Sequence, residues 1–432
     1  MLLTGQRYHR WHGEAPGPTR PAGPSTSTRG RVVVFSASVG AGHDGAAREL
    51  AARLRAGGFE VDGHDLMELM PGRLGRALRA GYARQLAAAP RTWEWLAGGL
   101  DRHETLAALA GRLTALAAGR RVDGVLAPPP ALVVSTYPLA SQALGRLRRT
   151  GRLAVPVVTF LTDMSVHRLW VADGVDTHLA LHEVAGEQAR GLGGRDVRVT
   201  GPAVSAAFRP AYSAGERRRD RAVFGLPAQG PLALVLAGSW AVGEIEQTVE
   251  DIARGGVATP VVACGRNEAL RQRLTRRGMG VAIGWTEAMP ALIRACDVVV
   301  QNAGGLSSLE ALACRVPVLT YRCLPGHGRT NARALAAAGW VPWVRTDGEL
   351  PAALRVALAG AGGPPPPFPA ADPAAALAAL ARPDGPADRV RSGGATSRGR
   401  RCVPAPGAPG TPRRAGRPDG AGAARTAPAG RR

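Results

Sequence analysis

The chain contains no lysine; all 55 of its basic Lys/Arg positions are arginine. That absence removes two enzyme classes at once: those that form a Schiff base on a lysine, and those that hold nucleotide phosphates with a P-loop lysine. Cysteine is scarce as well. The five residues (Cys264, Cys296, Cys314, Cys323 and Cys402) are odd in number and include no C-x-x-C pair. They read as buried thiols in a reducing compartment rather than as a disulfide framework or a metal site. No apolar run reaches the roughly 18 residues of a membrane span. The N-terminus, with His9, Trp11 and prolines from Pro16 to Pro24, lacks the apolar core of a signal peptide. A cytoplasmic location is expected.

What is present in excess is positive charge, a formal net +22 with a pI near 11.4. Such a balance raises the possibility of nucleic acid. However, residues 383–432 hold eleven Arg against three acidic residues, and residues 1–31 hold five Arg against one. More than half of the excess therefore lies in the two ends, and the motif loops are not basic patches interleaved with aromatics, so no nucleic-acid partner is expected.

At 432 residues and 45% hydrophobic content, two domains are the default. Residues 1–30 are polar and Pro/Gly-rich and read as a disordered extension. From Val32 onward, short apolar runs alternate with helical patterns in two halves, 31–210 and 211–360. The first half has runs at 32–35, 59–65, 131–137, 155–162, 178–181 and 197–200. The second half has them at 232–236, 260–263, 281–284, 298–300 and 316–321. β-Branched runs without alternation are those of parallel strands buried on both faces. The pattern predicts α/β architecture: two doubly wound Rossmann-like domains facing across a cleft, with ligands at the carboxyl ends of strands. Beyond 361 the Pro/Gly/Arg/Ala-rich composition reads as a disordered tail, with one weak helical patch at 374–380.

The densest chemistry lies between Asp297 and Gly339. A strand runs into Asn302-Ala303-Gly304-Gly305 and then a helix carrying Glu310. Free N–H groups and the positive dipole end of a helix behind a glycine turn can hold an anion. A carboxylate about one turn further in can take both hydroxyls of a ribose. Diphosphate beside ribose means a nucleotide.

Three motifs, SASVGAGH after the first strand, NAGGLSSLEALA, and PGHGRTN, stand in this order. Together they resemble the monogalactosyldiacylglycerol-synthase-like glycosyltransferases, relatives of the bacterial enzyme that adds N-acetylglucosamine to the lipid-linked peptidoglycan precursor. The resemblance covers about residues 32–345. It implies the GT-B fold, with a UDP-sugar bound mainly by the C-terminal domain and a lipid acceptor by the N-terminal one. By that resemblance Glu310 holds the ribose, Gly238 and Ser239 touch the diphosphate, and Gly304 and Gly305 open the helix toward the phosphates. Trp285 lies beside the uracil, and His327 and Asn331 meet the sugar hydroxyls. His43, which closes the N-terminal glycine loop of Gly40 and Gly42, is the proposed base. Inverting transfer needs a group that takes the acceptor's proton, and a neutral imidazole suits that task. Asp44 has no assigned role. Asp163 and His167, with Thr162 and Trp170, read as an acceptor-side or loop-organising group. There is no D-x-D motif, so no metal and no cofactor beyond the UDP-sugar co-substrate are expected.

Leu74, Leu78, Tyr82 and Leu86 repeat every four residues, with Arg73, Arg76 and Arg84 off that stripe and Trp93 and Trp95 following. A basic amphipathic helix of this kind lies on an anionic membrane surface. The expectation is a peripheral protein at the inner face of the cell membrane, moving a hexose from a UDP-sugar to a lipid such as diacylglycerol. Two other readings stay open: an enzyme like UDP-N-acetylglucosamine 2-epimerase, and a non-catalytic nucleotide-sugar-binding protein.

Overall fold

A computed structural model describes residues 29–88, 104–360 and 366–381. Two parallel sheets within a single compact unit organise them. The first sheet comprises β1 (Arg31–Ser36), β2 (Glu60–Asp65), β3 (Leu132–Ser135), β4 (Val157–Phe160), β5 (Thr177–Ala180) and β6 (Val197–Val199). The second comprises β7 (Leu232–Leu236), β8 (Thr259–Ala263), β9 (Val281–Ile283), β10 (Val298–Gln301) and β11 (Val318–Thr320). Each apolar run in the sequence therefore overlaps one strand.

The continuous apolar runs have a direct cause. In β1, Val32 and Val34 pack with Leu50 and Leu54 of helix Ala41–Ala56, while Val33 and Phe35 pack on the opposite face with Leu144 and Leu147. In β7, Ala233 and Val235 meet Val249 and Ile252 on one face, while Leu232 and Leu234 join the other core. With helices on both faces, alternation would place polar groups in apolar layers.

Strand order locates the site. The first sheet runs β2-β1-β3-β4-β5-β6, so the order reverses between β1 and β3. The second runs β11-β10-β7-β8-β9 and reverses between β7 and β10. Loops leaving adjacent strands at a reversal diverge to opposite faces and leave a crevice at the carboxyl ends. The loops behind β1 and β3, and those behind β7 and β10, border one cavity between the sheets. This is the GT-B arrangement.

The segment assigned to a disordered tail from 361 onward includes ordered structure. Residues 373–380 form a helix, Pro373–Leu380, that packs on helix Ala41–Ala56 of the first sheet's domain. Ala374 and Leu377 are buried, and Asp372 caps the helix through Ala375 N (2.9 Å) while pairing with Arg53 (2.8 Å). Gly201 N donates to Ala371 O at 2.6 Å. It is the weak helical patch at 374–380, weak in the sequence because eight residues of Pro, Ala and Leu show no polar face. Nearly all of the N-terminal extension, and the chain beyond 381, lie outside the described residues, as do Trp93 and Trp95.

Leu377→Ala should cost about 2–5 kcal/mol of stability, the usual range for a fully buried leucine. It should also release the terminal helix to limited proteolysis. Unchanged urea unfolding together with unchanged protease resistance would contradict the docking.

Candidate active site

In the first-sheet domain, β1 ends in a loop held from below by two carboxylates. Asp44 accepts from Ser36 Oγ and from Ser38 Oγ (2.7 Å), and Asp65 accepts from Ser38 N (3.3 Å) and Met67 N (2.7 Å). The structure thus gives Asp44 a task that the sequence left open. It fixes the turn on which His43, its neighbour, is carried.

His43 Nδ1 lies 2.7 Å from Thr162 Oγ1 and 3.1 Å from Thr136 O. A carbonyl only accepts, so this network assigns the proton to Nδ1. Nε2 is then the basic nitrogen of a ring that borders the cavity. Tyr137 meets the ring edge-on at 5.3 Å.

Asp163 and His167 border the same cavity. Asp163 Oδ2 accepts from the buried Trp170 Nε1 (2.9 Å) and lies 4.0 Å from His167 Nε2. The group therefore organises a loop beside His43. Tyr82, from helix Leu74–Ala88, reaches across the cavity to the Trp240 ring at 6.1 Å, while Leu74 and Leu78 of that helix stay exposed. Tyr82 thus departs from the membrane-facing stripe expected for it.

On the donor side, Gly238 turns the chain behind β7 with φ +67°. The Ser239 carbonyl accepts from Arg266 N (3.0 Å), and a Cβ on Gly265 would stand 2.6 Å from that carbonyl oxygen. The loops behind β7 and β8 are therefore mutually fitted. Behind β10, Gln301 Oε1 accepts from Ala303 N (2.8 Å) and from Gly304 N, while its Nε2 donates to Thr320 Oγ1 (2.6 Å). Gln301 was missed in the sequence, where its one signal is a polar residue closing an all-valine strand.

Gly305 caps helix Leu306–Ala313 with no side-chain hydrogen bond. Ser308 N donates to Gly305 O (3.0 Å), and the N–H groups ahead of it, those of Leu306 and Ser307, have no acceptor earlier in the helix. Ser308 Oγ, buried in the same turn and bordering the cavity, has no partner among the described residues. Burial pushes the Glu310 carboxyl up to about 7, and the charge of Arg48 draws it back down. Trp285 is half-exposed at the rim, with the Arg266 guanidinium 4.4 Å above its ring. His327 opens helix His327–Ala337 and borders the cavity. Burial holds its pKa below the usual histidine value, with Asp163 opposing and His43 adding to the depression.

Asn331 borders the cavity, and its amide is also engaged between the two domains. Its Oδ1 accepts from Ser165 N (2.9 Å) and Ser165 Oγ (2.8 Å), and its Nδ2 donates to Ala303 O (3.0 Å). The amide is buried and joins a first-domain loop to the glycine turn of the second. Nearby, Leu306 packs on Gly42 and Gly45 of helix Ala41–Ala56; a Cβ at Gly45 would overlap Leu306 Cδ2.

The residues assigned from the sequence to donor and acceptor sides thus border one cavity of about 1220 Å³. Among the described residues no three His, Cys, Asp or Glu side chains gather as a metal-ligand set, and no helix is long and apolar enough to cross a membrane.

Two Rossmann-like domains with a cleft between them define a class that known proteins then narrow. Residues 43–204, less than half of the chain, match the monogalactosyldiacylglycerol (MGDG) synthase family, the family its motifs resemble. The processive diacylglycerol beta-glucosyltransferase of Bacillus subtilis strain 168 is 27% identical over 211 residues, 47% of this chain and 54% of that protein. The protein of the same name from Bacillus mycoides strain KBAB4 is 27% identical over 231 residues, 51% of this chain and 58% of that one. The chain spans about half the length of the curated relatives it matches. Among solved structures, Anabaena Alr3699/HepE in complex with UDP-glucose aligns with a TM-score of 0.47 at 16% identity. That alignment covers 76% of this chain and 89% of the other.

Asn331→Ala leaves the buried Ser165 N–H unpaired and should cost about 1–3 kcal/mol, the desolvation cost of such a group. Urea unfolding of the two proteins side by side measures this. An unchanged midpoint would show that the amide is not a structural tie.

Proposed function

We propose that this chain is an inverting glycosyltransferase that moves a hexose from a UDP-sugar to a membrane lipid such as diacylglycerol. The observation that carries this reading is the single cavity into which both His43 and the Gly305–Glu310 helix start open. In the proposed reaction His43 Nε2 takes the proton of the acceptor hydroxyl while that oxygen attacks the anomeric carbon. The bond from that carbon to the diphosphate oxygen breaks, and UDP leaves with the electron pair. Free N–H groups at the helix start and the unpartnered Ser308 hydroxyl supply hydrogen bonds to the leaving diphosphate. Glu310 receives the ribose diol, Trp285 lies beside the base, and Gly238 and Ser239 flank the phosphates. His327 faces the sugar.

The acceptor reading draws on the apolar end of the cavity, bordered by Leu78, Ala110 and Leu139. Leu74 and Leu78, with Leu106, Leu109, Leu113 and Leu116 of helix Glu104–Val125, are exposed. Such a surface suits a protein that draws its acceptor from a bilayer at the inner, anionic face of the cell membrane. The processive diacylglycerol glucosyltransferases to which the chain is similar support the choice of lipid. The test is incubation with a panel of UDP-sugars, with and without diacylglycerol vesicles, and mass spectrometry of the products. Glycolipid formed only when the lipid is present supports the transferase. A changed sugar nucleotide without any acceptor would instead identify an epimerase.

His43→Ala should lower turnover by roughly 10²–10⁴ while leaving UDP affinity near normal, as for loss of a general base. Wild-type turnover in the variant would remove His43 from the chemistry.

For Glu310→Ala, UDP binding should weaken by roughly 1.5–3 kcal/mol, the range for hydrogen bonds to a charged group. Calorimetry above neutral pH, where the carboxylate is ionised, is the appropriate measurement. Unchanged affinity in a folded variant would refute the ribose assignment.

A further inference from the structure

We infer that Thr162 is the positioning residue of His43, its hydroxyl holding the imidazole in the tautomer that leaves Nε2 able to take a proton. This deepens the transferase reading above and rests on it.

The bonds around the ring carry the inference. His43 Nδ1 lies 2.7 Å from Thr162 Oγ1 and 3.1 Å from Thr136 O. A hydroxyl beside a ring nitrogen can donate or accept. If Thr162 donated to a bare Nδ1, the lone pair of that nitrogen would also face the Thr136 carbonyl, with no hydrogen between the two acceptors. If Nδ1 carries the proton, Thr162 Oγ1 accepts it at the shorter distance. Its own hydrogen is then left for Thr136 O, 3.5 Å away. The second arrangement satisfies every group. Thr136 Oγ1 also donates to His43 O (3.3 Å), so the ring and its backbone are held by the same two threonines.

The hydroxyl is itself fixed. Thr162 is buried, and a β-branched side chain has few χ1 choices. Just ahead of it Leu161 N donates to Leu179 O (2.9 Å), and three residues on Ser165 N donates to Asn331 Oδ1 (2.9 Å). The segment is thereby tied to the first sheet on one side and to the second domain on the other.

The adjacent carboxylate is engaged elsewhere. Asp163 accepts from Trp170 Nε1 (2.9 Å) and stands 4.0 Å from His167 Nε2. The His43 ring instead bonds a hydroxyl and a carbonyl, and among the described residues no carboxylate pairs with it. A carboxylate behind a histidine, as in a Ser-His-Asp triad, both orients the ring and favours the imidazolium. Neutral acceptors orient it without adding negative charge. In this site the orienting role falls to Thr162.

The test reads tautomer and turnover in the full chain as wild type, Thr162→Val and Thr162→Ser. Valine keeps the branched shape but cannot accept a hydrogen bond; serine keeps the hydroxyl. Long-range proton–nitrogen NMR correlation at about pH 8.5, where an ordinary imidazole is neutral, shows which ring nitrogen bears the proton. The signal lost in His43→Gln identifies His43 among the nine histidines. Wild-type His43 should carry its proton on Nδ1, and in Thr162→Val the form protonated on Nε2 should appear. Turnover of UDP-glucose with diacylglycerol vesicles should fall about tenfold in that variant, with KM for UDP-glucose unchanged within about twofold. Thr162→Ser should restore both readouts, and Thr162→Ala repeats the measurement should the valine variant not fold. A wild-type proton on Nε2, or a Thr162→Val ring that keeps its proton on Nδ1, would overturn the inference whatever the turnover. So would a loss that serine fails to restore. Absence of transfer to lipid by the wild type would remove the transferase reading, while the tautomer, which needs no substrate, would still decide the role of Thr162.

Discussion

The rest of the site depends on one close approach, the seating of Leu306 on Gly42 and Gly45. Each partner lies within the first turns of a helix that carries chemistry. His43 stands in the first turn of the helix behind β1, and the N–H groups of Leu306 and Ser307, with Glu310 one turn further in, belong to the helix behind β10. A Cβ at Gly45 would overlap Leu306 Cδ2, so the leucine side chain would have to leave its seat. A leucine methyl occupying the space of an absent Cβ is ordinary packing, but here the contact lies at the border of the cavity between the sheets. Asn331 supplies the directional counterpart, bonding Ser165 on one side and Ala303 on the other. Apolar contact sets how near the domains stand, and the amide sets how they are aligned.

The sheets were legible because burial on both faces leaves a distinct trace. Runs such as Val32–Phe35 and Val298–Val300 have no polar member, and only a strand sandwiched between helices tolerates that. The positions of His43, Gly304 and Glu310 at strand ends were legible for the same reason, since in doubly wound folds the strand end is where the chain turns toward ligand. Roles that depend on a distant partner were not legible. Asn331 looked available for a sugar because nothing in its local sequence announces Ser165, 166 positions away. Gln301 folds back on its own loop, and Asp44 reaches back to Ser36 and Ser38. The sequence shows these residues as polar but not where their polar atoms are already engaged. The terminal helix showed only as a weak patch at 374–380 for a different reason: Pro, Ala and Leu on all sides leave no amphipathic period, and its stability comes from docking.

The electrostatics follow the same division. A chain without lysine meets its carboxylates with guanidinium groups, which hold two or more partners in a plane. Arg53 joins Glu49, Asp372 and the Val204 carbonyl, and Arg322 joins Asp251 and Glu244 below the loop that leads to His327. Much of the body's positive charge is therefore committed to holding segments in place. This explains why a pI above eleven coexists with a cleft whose chemistry is that of a small-molecule site.

The bond between Gly201 and Ala371 bears on movement. The chain passes from the first half to the second near residue 201 and returns by way of residue 371, and the two crossings are hydrogen-bonded side by side. Beside them His182, Trp340 and Phe368 form a run of ring contacts, at 5.0 and 5.4 Å. Two spans joined at one place act as a pivot and not as a pair of separate tethers. Arg53 of helix Ala41–Ala56 reaches both spans, donating to the Val204 carbonyl at 2.5 Å and pairing with Asp372 at 2.8 Å, so both crossings are fastened to the first half at one place.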